Sequence, residues 1–405
     1  MRTTRTLLSA LVLALASAPV GLGGAIAHPN HGSGEDPSVV LDWERTAIGT
    51  IYTENGSPVP SGALYLGFTS LAMSDAVDRA HHTRNASGAA AAAVAAHDVL
   101  AEYFPSSIPQ LEVDLAASLA EVPDGVAEDR GRSIGEQAAA AMIASRVGDG
   151  RNDTSIVYTR TAGPGVWQPA PGANMLVPWL GYVRPLVLRR IGSAPGPDAL
   201  TSAAYAAQYD EVRRLGSTTS SARTAEQTYT ALFFNSNSAI MLSEATIAYL
   251  DTHPMSLRRT ARLFATMHAA MADSVIAAWR LKFDVGFWRP FQAVAQADTD
   301  DNPATQPEAG WTSLLPTPSY SEYTSGHAAL TGPDAEVLRR TFGDDIALTL
   351  HSYNTGTDET YSSISAIEAD ALNSRIWGGL HFRTAMNDGY RLAHRTAIQV
   401  MARLR

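Results

Sequence analysis

Apolar residues recur at three- and four-residue intervals along most of this chain, and strict apolar–polar alternation is almost absent. From about residue 62 to 148, the stretches "SLAMSDAVDRAHH", "SGAAAAAVAAHDVLAEYF" and "GRSIGEQAAAAMIASRV" carry alanine and leucine at helical spacing. Each is bounded by Ser, Asp, Pro or Gly, the residues that start and stop helices. Helical patterning resumes near residue 202. "SLRRTARLFATMHAAMADSVIAAWRLKF" sets Phe264, Met267, Met271 and Val275 on one stripe, which predicts a buried helix. Ser365 stands three before Glu368, a capping-box spacing, and "DGYRLAHRTAIQVMARLR" reads as a last helix. No repeat period is evident. The pattern predicts an all-α chain, one large domain of packed helical bundles over residues 61–405. Residues 61–215 would form an N-terminal helical half and 216–405 the half carrying the candidate site.

Two stretches break the pattern. Residues 28–60 are rich in Gly, Pro, Ser and Asp and predict an extended or loosely packed arm. Residues 161–198 are dense in Pro and Gly, with Trp167, Trp179 and Tyr182. A connection of that length either serves a site or wraps the core.

Composition narrows the class. A net charge of −10 argues against broad nucleic-acid or anionic-membrane binding, while leaving room for a local basic pocket. There are no cysteines, which removes disulfides, thiolate metal sites and cysteine nucleophiles. Arg2 and Arg5, an apolar stretch from Leu7 and the Ala25-Ile26-Ala27 sequence have the layout of a signal peptide over residues 1–27, cleaved before His28. After it, no apolar stretch approaches the roughly 20 residues that span a bilayer. The expectation is a secreted, soluble mature protein. The closely spaced carboxylates of "DTDDNP" (298–303) lack the Gly and terminal Glu of an EF-hand loop and predict a solvated turn. His81, His82, His268 and His351 have no ligand spacing and read as packing or surface residues.

Three segments carry candidate chemistry. In "LKFDVGFWRP", Lys282 and Arg289 stand among Phe283, Phe287 and Trp288, and Pro290 stops the helix. In "YTSGHAALTG", Ser325 is a plausible N-cap, so Gly326 and His327 open a helix whose free N–H groups suit an anion. In "SRIWGGLHFRTAMND", a glycine pair separates Arg375 from His381, placing one at a helix end and the other just past the break. Three cations, a capped helix start and two imidazoles form a set suited to one small oxyanion.

In order and spacing, these segments resemble the superfamily of type 2 phosphatidic acid phosphatases and vanadium-dependent haloperoxidases. The shared pattern is Lys, six residues, Arg-Pro; then Ser-Gly-His; then Ser-Arg, five residues, His. "ARLFATMHAAMADSVIAAWRLKFDVGFWRP", "EYTSGHAALTG" and "PGVWQPAPG" look like the haloperoxidase branch. Three positions depart from it. Thr324 replaces a proline before Ser-Gly-His. Pro333 falls six residues after His327 and predicts a kink or restart of that helix. Ala385 stands four residues after His381, where the family often has Asp, so the motif does not name the partner of that imidazole.

The resemblance implies a vanadate cofactor, or phosphate in the same site, held by Lys282, Arg289, Ser325, Gly326, Arg375 and His381. His381 would bond the vanadium, and His327 would be the acid–base residue. Hydrogen peroxide and halide would be the substrates, and the product hypohalous acid. The alternatives are a phosphatase acting on a small phosphate ester through a phospho-histidine at His381, and a non-catalytic oxyanion binder. Trp288 and Tyr320 would lie at the halide or substrate pocket. Tyr320 holds the place, seven residues before His327, where the resembling chloroperoxidases have phenylalanine and bromoperoxidases histidine.

Overall fold

The apolar stripe at Phe264, Met267, Met271 and Val275 is fully buried, on a helix of 29 residues against which others pack. The protein's computed structural model describes residues 35–404. In chain order the helices are α1 (Ser38–Ile48), α2 (Val59–His81), α3 (Gly88–Tyr103), α4 (Ile108–Ala120) and α5 (Val126–Ser145). They continue with α6 (Ala203–Gly216), α7 (Ala225–Phe233), α8 (Met241–Thr252), α9 (Leu257–Val285) and α10 (Pro290–Ala295). The last are α11 (Gly326–Phe342), α12 (Ile364–Trp377) and α13 (Arg383–Arg403). The all-α expectation therefore holds, and residues from Glu35 onward form one compact unit. Among the described residues no helix is long and apolar enough to cross a membrane.

Helix α9 is the axis of the fold. It packs against α2, α11 and α13, and it stops at Gly286, whose φ of 60° lets its N–H close back on the Lys282 carbonyl at 3.0 Å. On the other side of α2, the alanine run of α3 admits α5 closely. A Cβ on Gly131 would lie 2.4 Å from the Ser87 carbonyl, so the approach requires glycine there. The Pro/Gly-rich 161–198 segment wraps α9. Trp167 donates to the Gly286 carbonyl (2.8 Å), and Trp288 donates to the Gly165 carbonyl (3.0 Å). The N–H groups of Leu186, Val187 and Leu188 all donate to the carboxylate of Asp273 on α9. A buried carboxylate can thus substitute for regular structure in a long loop.

Several expectations are corrected. The arm expected over 28–60 is largely helical where it is described: α1 buries Val40, Leu41 and Trp43, and a π-helix follows over Gly49–Glu54. Its Gly, Pro and Ser residues fall mostly outside "SVVLDWERTAI", which is amphipathic on its own. Residues 28–34 and the leader expected over 1–27 lie outside the described residues. Helix α11 runs unbroken through Pro333; packing on α9 and α13 holds it, since tertiary contacts outweigh propensity. The cap of α12 is Ser363, which accepts from the Ala366 N–H, while Ser365 bonds Asp344 instead. An antiparallel hairpin, β1 (Leu348–Ser352) and β2 (Thr357–Tyr361), went unread because each strand has only five residues. In "DTDDNP", Asp300 turns inward and accepts from Asn302 N–H (2.9 Å) and the Thr305 hydroxyl, rather than forming a solvated turn.

His268 is indeed a core residue, held between Ser70 (2.8 Å) and Ser243 (2.9 Å), with Glu44 at 3.3 Å. Burial opposes its protonation, but the charge and hydrogen bond of Glu44 outweigh this and raise its pKa. Nearby Asp334 is pushed up to about 7 by burial, with Glu44 adding and His268 opposing. A raised carboxyl pKa gives stability that is present below the unfolded value and lost as pH rises through about 7. Unfolding of the native protein should therefore become easier between pH 5 and 8. Asp334→Asn should remove up to about 3 kcal/mol of that change between pH 5 and 8, at about 1.4 kcal/mol per pH unit below the folded pKa. Urea titrations at both pH values check it; an unchanged slope in the variant contradicts it.

Candidate functional site

The three motif segments meet at one end of the α9–α11–α13 bundle. Ser325 caps α11, its hydroxyl oxygen accepting from the Ala328 N–H at 3.3 Å, so Gly326 and His327 are the first two residues of the helix. Gly326 lies against α9: a Cβ there would stand 3.0 Å from the Trp279 ring and 3.6 Å from Lys282 Cε. Only glycine lets the start of α11 approach Lys282 without displacing the tryptophan.

The glycine pair works as the spacing predicts. Helix α12 ends after Trp377, and Gly379 takes a φ of 75°. The N–H groups of Leu380 and His381 then both reach back to the Arg375 carbonyl, at 2.9 and 3.3 Å. The break folds His381 onto the residue whose guanidinium it must accompany.

A cavity of about 190 Å³ is lined by Tyr320, Gly326, His327, Arg375 and His381, with Pro60, Pro316 and Pro318 around it. Lys282 and Arg289 stand behind this wall. Both are fully buried, and both lie 4.9 Å from the centre of the Tyr320 ring. Lys282 Nζ donates to the carbonyls of Ser321 (2.9 Å) and Glu322 (3.0 Å), which leaves one of its three protons free. Arg289 donates through Nε to the Tyr320 carbonyl and through Nη1 to the Leu380 carbonyl, each at 2.9 Å. The same Nη1 lies 3.2 Å from His381 Nε2.

That last contact assigns the tautomer. A guanidinium can only donate, so His381 Nε2 carries a lone pair and the ring proton sits on Nδ1. Nδ1 in turn faces Glu322 Oε1 at 2.9 Å, which accepts from it. The same carboxylate oxygen accepts from the Phe382 N–H at 3.0 Å. Glu322 is thus the partner that Ala385 cannot be. Asp388 does not take this part, because it accepts from the Tyr323 hydroxyl (2.7 Å) and from Arg391.

The electrostatics lean one way. Burial, reinforced by Arg289, lowers Lys282 well below the usual lysine range. Burial lowers Arg375 to about 10. Burial, then the charges of Arg289 and Lys282, hold His381 well below its ordinary pKa, and burial with Arg375 does the same for His327. Glu322 is pushed up to about 7 by burial, against the pull of Arg289 and Lys282. Each basic group is short of negative charge, and an anion among them would restore their charged forms.

Lys282, Arg289, Gly326, His327, Arg375 and His381 are therefore brought together. Ser325 is adjacent through its cap, with its hydroxyl proton still available. Trp288 is not at the cavity. It is fully buried in an aromatic cluster with Tyr205, Phe287 and Phe382, because the loop after α9 turns its side chain inward. The sequence did not point to three polar cavity residues, Asn235, Ser236 and Ser238, from the junction of α7 and α8. That junction is tied in by Arg375, which donates to the Phe234 carbonyl (3.3 Å), and by the Phe234 ring set edge-on to His327. Nothing in "FFNSNS" marks it as a site.

Residues 262–405 match the family model of the VCPO second helical-bundle domain. The fold as a whole is similar to the first bacterial vanadium-dependent iodoperoxidase, with a TM-score of 0.73 and 21% identity over 91% of this chain and 97% of that one. A holo-type bacterial vanadium-dependent chloroperoxidase is similar with a TM-score of 0.68 and 18% identity, over 86% of this chain and 92% of that one. The apo-type chloroperoxidase gives the same TM-score and identity over 85% and 93%. No curated protein sequence matches the chain. The chain has the fold of the bacterial vanadium haloperoxidases.

Proposed function

We propose that this protein is a vanadium-dependent haloperoxidase-like enzyme that oxidises a halide with hydrogen peroxide. One observation carries the reading. Three buried nitrogens around the cavity, Arg289 Nη2, Arg375 Nε and His327 Nε2, lack a hydrogen-bond partner among the described residues. Orphaned buried donors are costly, and a tetrahedral oxyanion would satisfy them together. The donor set therefore fits vanadate, which Lys282, Arg289, Gly326 and Arg375 would hold through oxygen and His381 through its Nε2 lone pair, with Arg289 Nη1 turning from that lone pair to an anion oxygen. When bound, vanadate supplies a Lewis-acidic centre that activates peroxide toward halide. The chain's own part is to present a fixed lone pair at His381, cancel the negative charge of the anion, and move a proton at His327 Nε2. The proline-rimmed, half-closed cavity limits water around these charges and strengthens them.

The test is to load metal-free protein with orthovanadate and compare peroxide-dependent bromination with hydrolysis of a phosphate ester. Bromination that appears only with vanadate is the expected result. Ester hydrolysis without bromination would replace this reading with the phosphatase.

Tyr320 should set the halide range. Its ring is the shared face for Lys282 and Arg289, and it lines the cavity. Its hydroxyl makes that wall wetter than phenylalanine would. Bromide, the easier halide to oxidise, should turn over clearly and chloride weakly. Tyr320→Phe should raise the chloride rate by up to about tenfold, a barrier change of about 1.4 kcal/mol. Steady-state assays with each halide decide it; native chloride turnover equal to bromide turnover would contradict it.

A further inference from the structure

At the opposite end of the bundle, a groove of about 560 Å³ opens where the start of α9 meets the ends of α11 and α13. It lies far from the cavity just described, because Arg262 and Lys282 are 20 residues apart on α9, about 30 Å at 1.5 Å per residue. Its floor is apolar, with Leu263 and Val337 buried. Its wall on α13 is apolar too, and there Ile398 is 40% exposed, a large hydrophobe left open to solvent. Three guanidiniums, Arg259, Arg262 and Arg340, stand around it.

Those charges are not used up locally. Arg262 donates to Asp78 at 3.0 Å and Arg340 to Glu336 at 2.6 Å. Each of those carboxylates is shared with a second arginine, Arg258 in one case and Arg339 in the other. A guanidinium has five N–H donors, so both rim residues keep donors free. Arg259 has no carboxylate partner among the described residues. A cationic rim over an apolar trough is a local reversal in a chain of net charge −10.

We propose that this groove binds an aliphatic carboxylate, its chain along the floor between α9 and α13 and its head on the arginine rim. The volume is in the range of small-molecule pockets. A second copy docked on the same face would set arginines against arginines, which costs affinity. A flat membrane surface cannot enter a concave trough.

The test is calorimetric titration of the full chain with sodium decanoate below its micelle-forming concentration. Hexanoate and decyltrimethylammonium serve as comparison probes. Saturable one-to-one decanoate binding is expected, with hexanoate roughly tenfold weaker or more because less apolar surface is buried. The cationic probe should bind at least about tenfold more weakly than decanoate. Arg259→Glu and Ile398→Asp, both at exposed positions and checked for unchanged melting, should each weaken decanoate about tenfold or more. Absence of saturation, equal binding of the cationic probe, or unchanged affinity in both variants overturns the proposal. So does a dimer in sedimentation that Ile398→Asp dissolves while decanoate fails to bind.

Discussion

Replacing His381 with alanine is expected to cost vanadate affinity on the order of 100-fold or more, since even the outer partners of a metal ligand are worth 10–100-fold. His327→Ala should instead keep affinity within about tenfold and lower turnover by about 10²–10⁴-fold, the usual worth of a positioned acid–base group. The split follows from the two rings' surroundings. His381 is gripped at both nitrogens, by Glu322 at Nδ1 and by Arg289 at Nε2, and its lone pair is directed by those contacts. His327 has an unpartnered Nε2 and only the edge of Phe234 against its ring. On the proposed reading, the first imidazole would hold the anion and the second would exchange a proton. Equilibrium titration of vanadate, alongside steady-state bromination, separates the two. Equal loss of affinity in both variants would remove the assignment of roles.

How much of this was legible in the linear sequence depends on what kind of information each residue carries. The caps and breaks were legible because they are local. Ser325 before Gly326 and the Gly378-Gly379 pair act within one turn of the chain, so spacing alone located His327 and His381 on their elements. The buried stripe on α9 was legible because a helix period repeats over many residues. Glu322 was not, although it lies within "SEYTSGH". Its importance comes from facing His381, 59 residues away, and no local rule says which way a loop carboxylate turns. Asn235 and Ser238 are further removed, reaching the cavity only because Arg375 holds the Phe234 carbonyl. Trp288 failed in the opposite direction. Its neighbourhood to Arg289 in sequence suggested the cavity, but extended backbone sends adjacent side chains to opposite sides.

Glu322 also supports the other large prediction, in which two substitutions at one position should part company. Glu322→Leu removes the acceptor that fixes the His381 Nδ1–H, leaving only Arg289, which a bound anion would itself recruit, to keep the lone pair on Nε2. Vanadate affinity should fall about 10–100-fold. Glu322→Gln removes the charge but keeps an acceptor, and the backbone decides which atom of the amide faces the ring. Phe382 N–H points at the same oxygen that meets Nδ1, 3.0 and 2.9 Å away. That N–H would repel the amide nitrogen and hold the carbonyl oxygen of Glu322→Gln against the imidazole, preserving the tautomer. Affinity should then stay within about tenfold of the native protein, helped by the loss of a negative charge near an anion site. Glu322→Leu should be less stable than Glu322→Gln by about 1–3 kcal/mol, because it leaves the His381 Nδ1–H and the Phe382 N–H without an acceptor. Saturating vanadate should stabilise Glu322→Gln more than Glu322→Leu, since ligand stabilisation scales with the logarithm of occupancy. Melting curves with and without vanadate, read beside the affinities, distinguish positioning from charge. A loss of affinity as deep in Glu322→Gln as in Glu322→Leu would show that the charge of Glu322, and not its hydrogen bond to His381, is what the site requires.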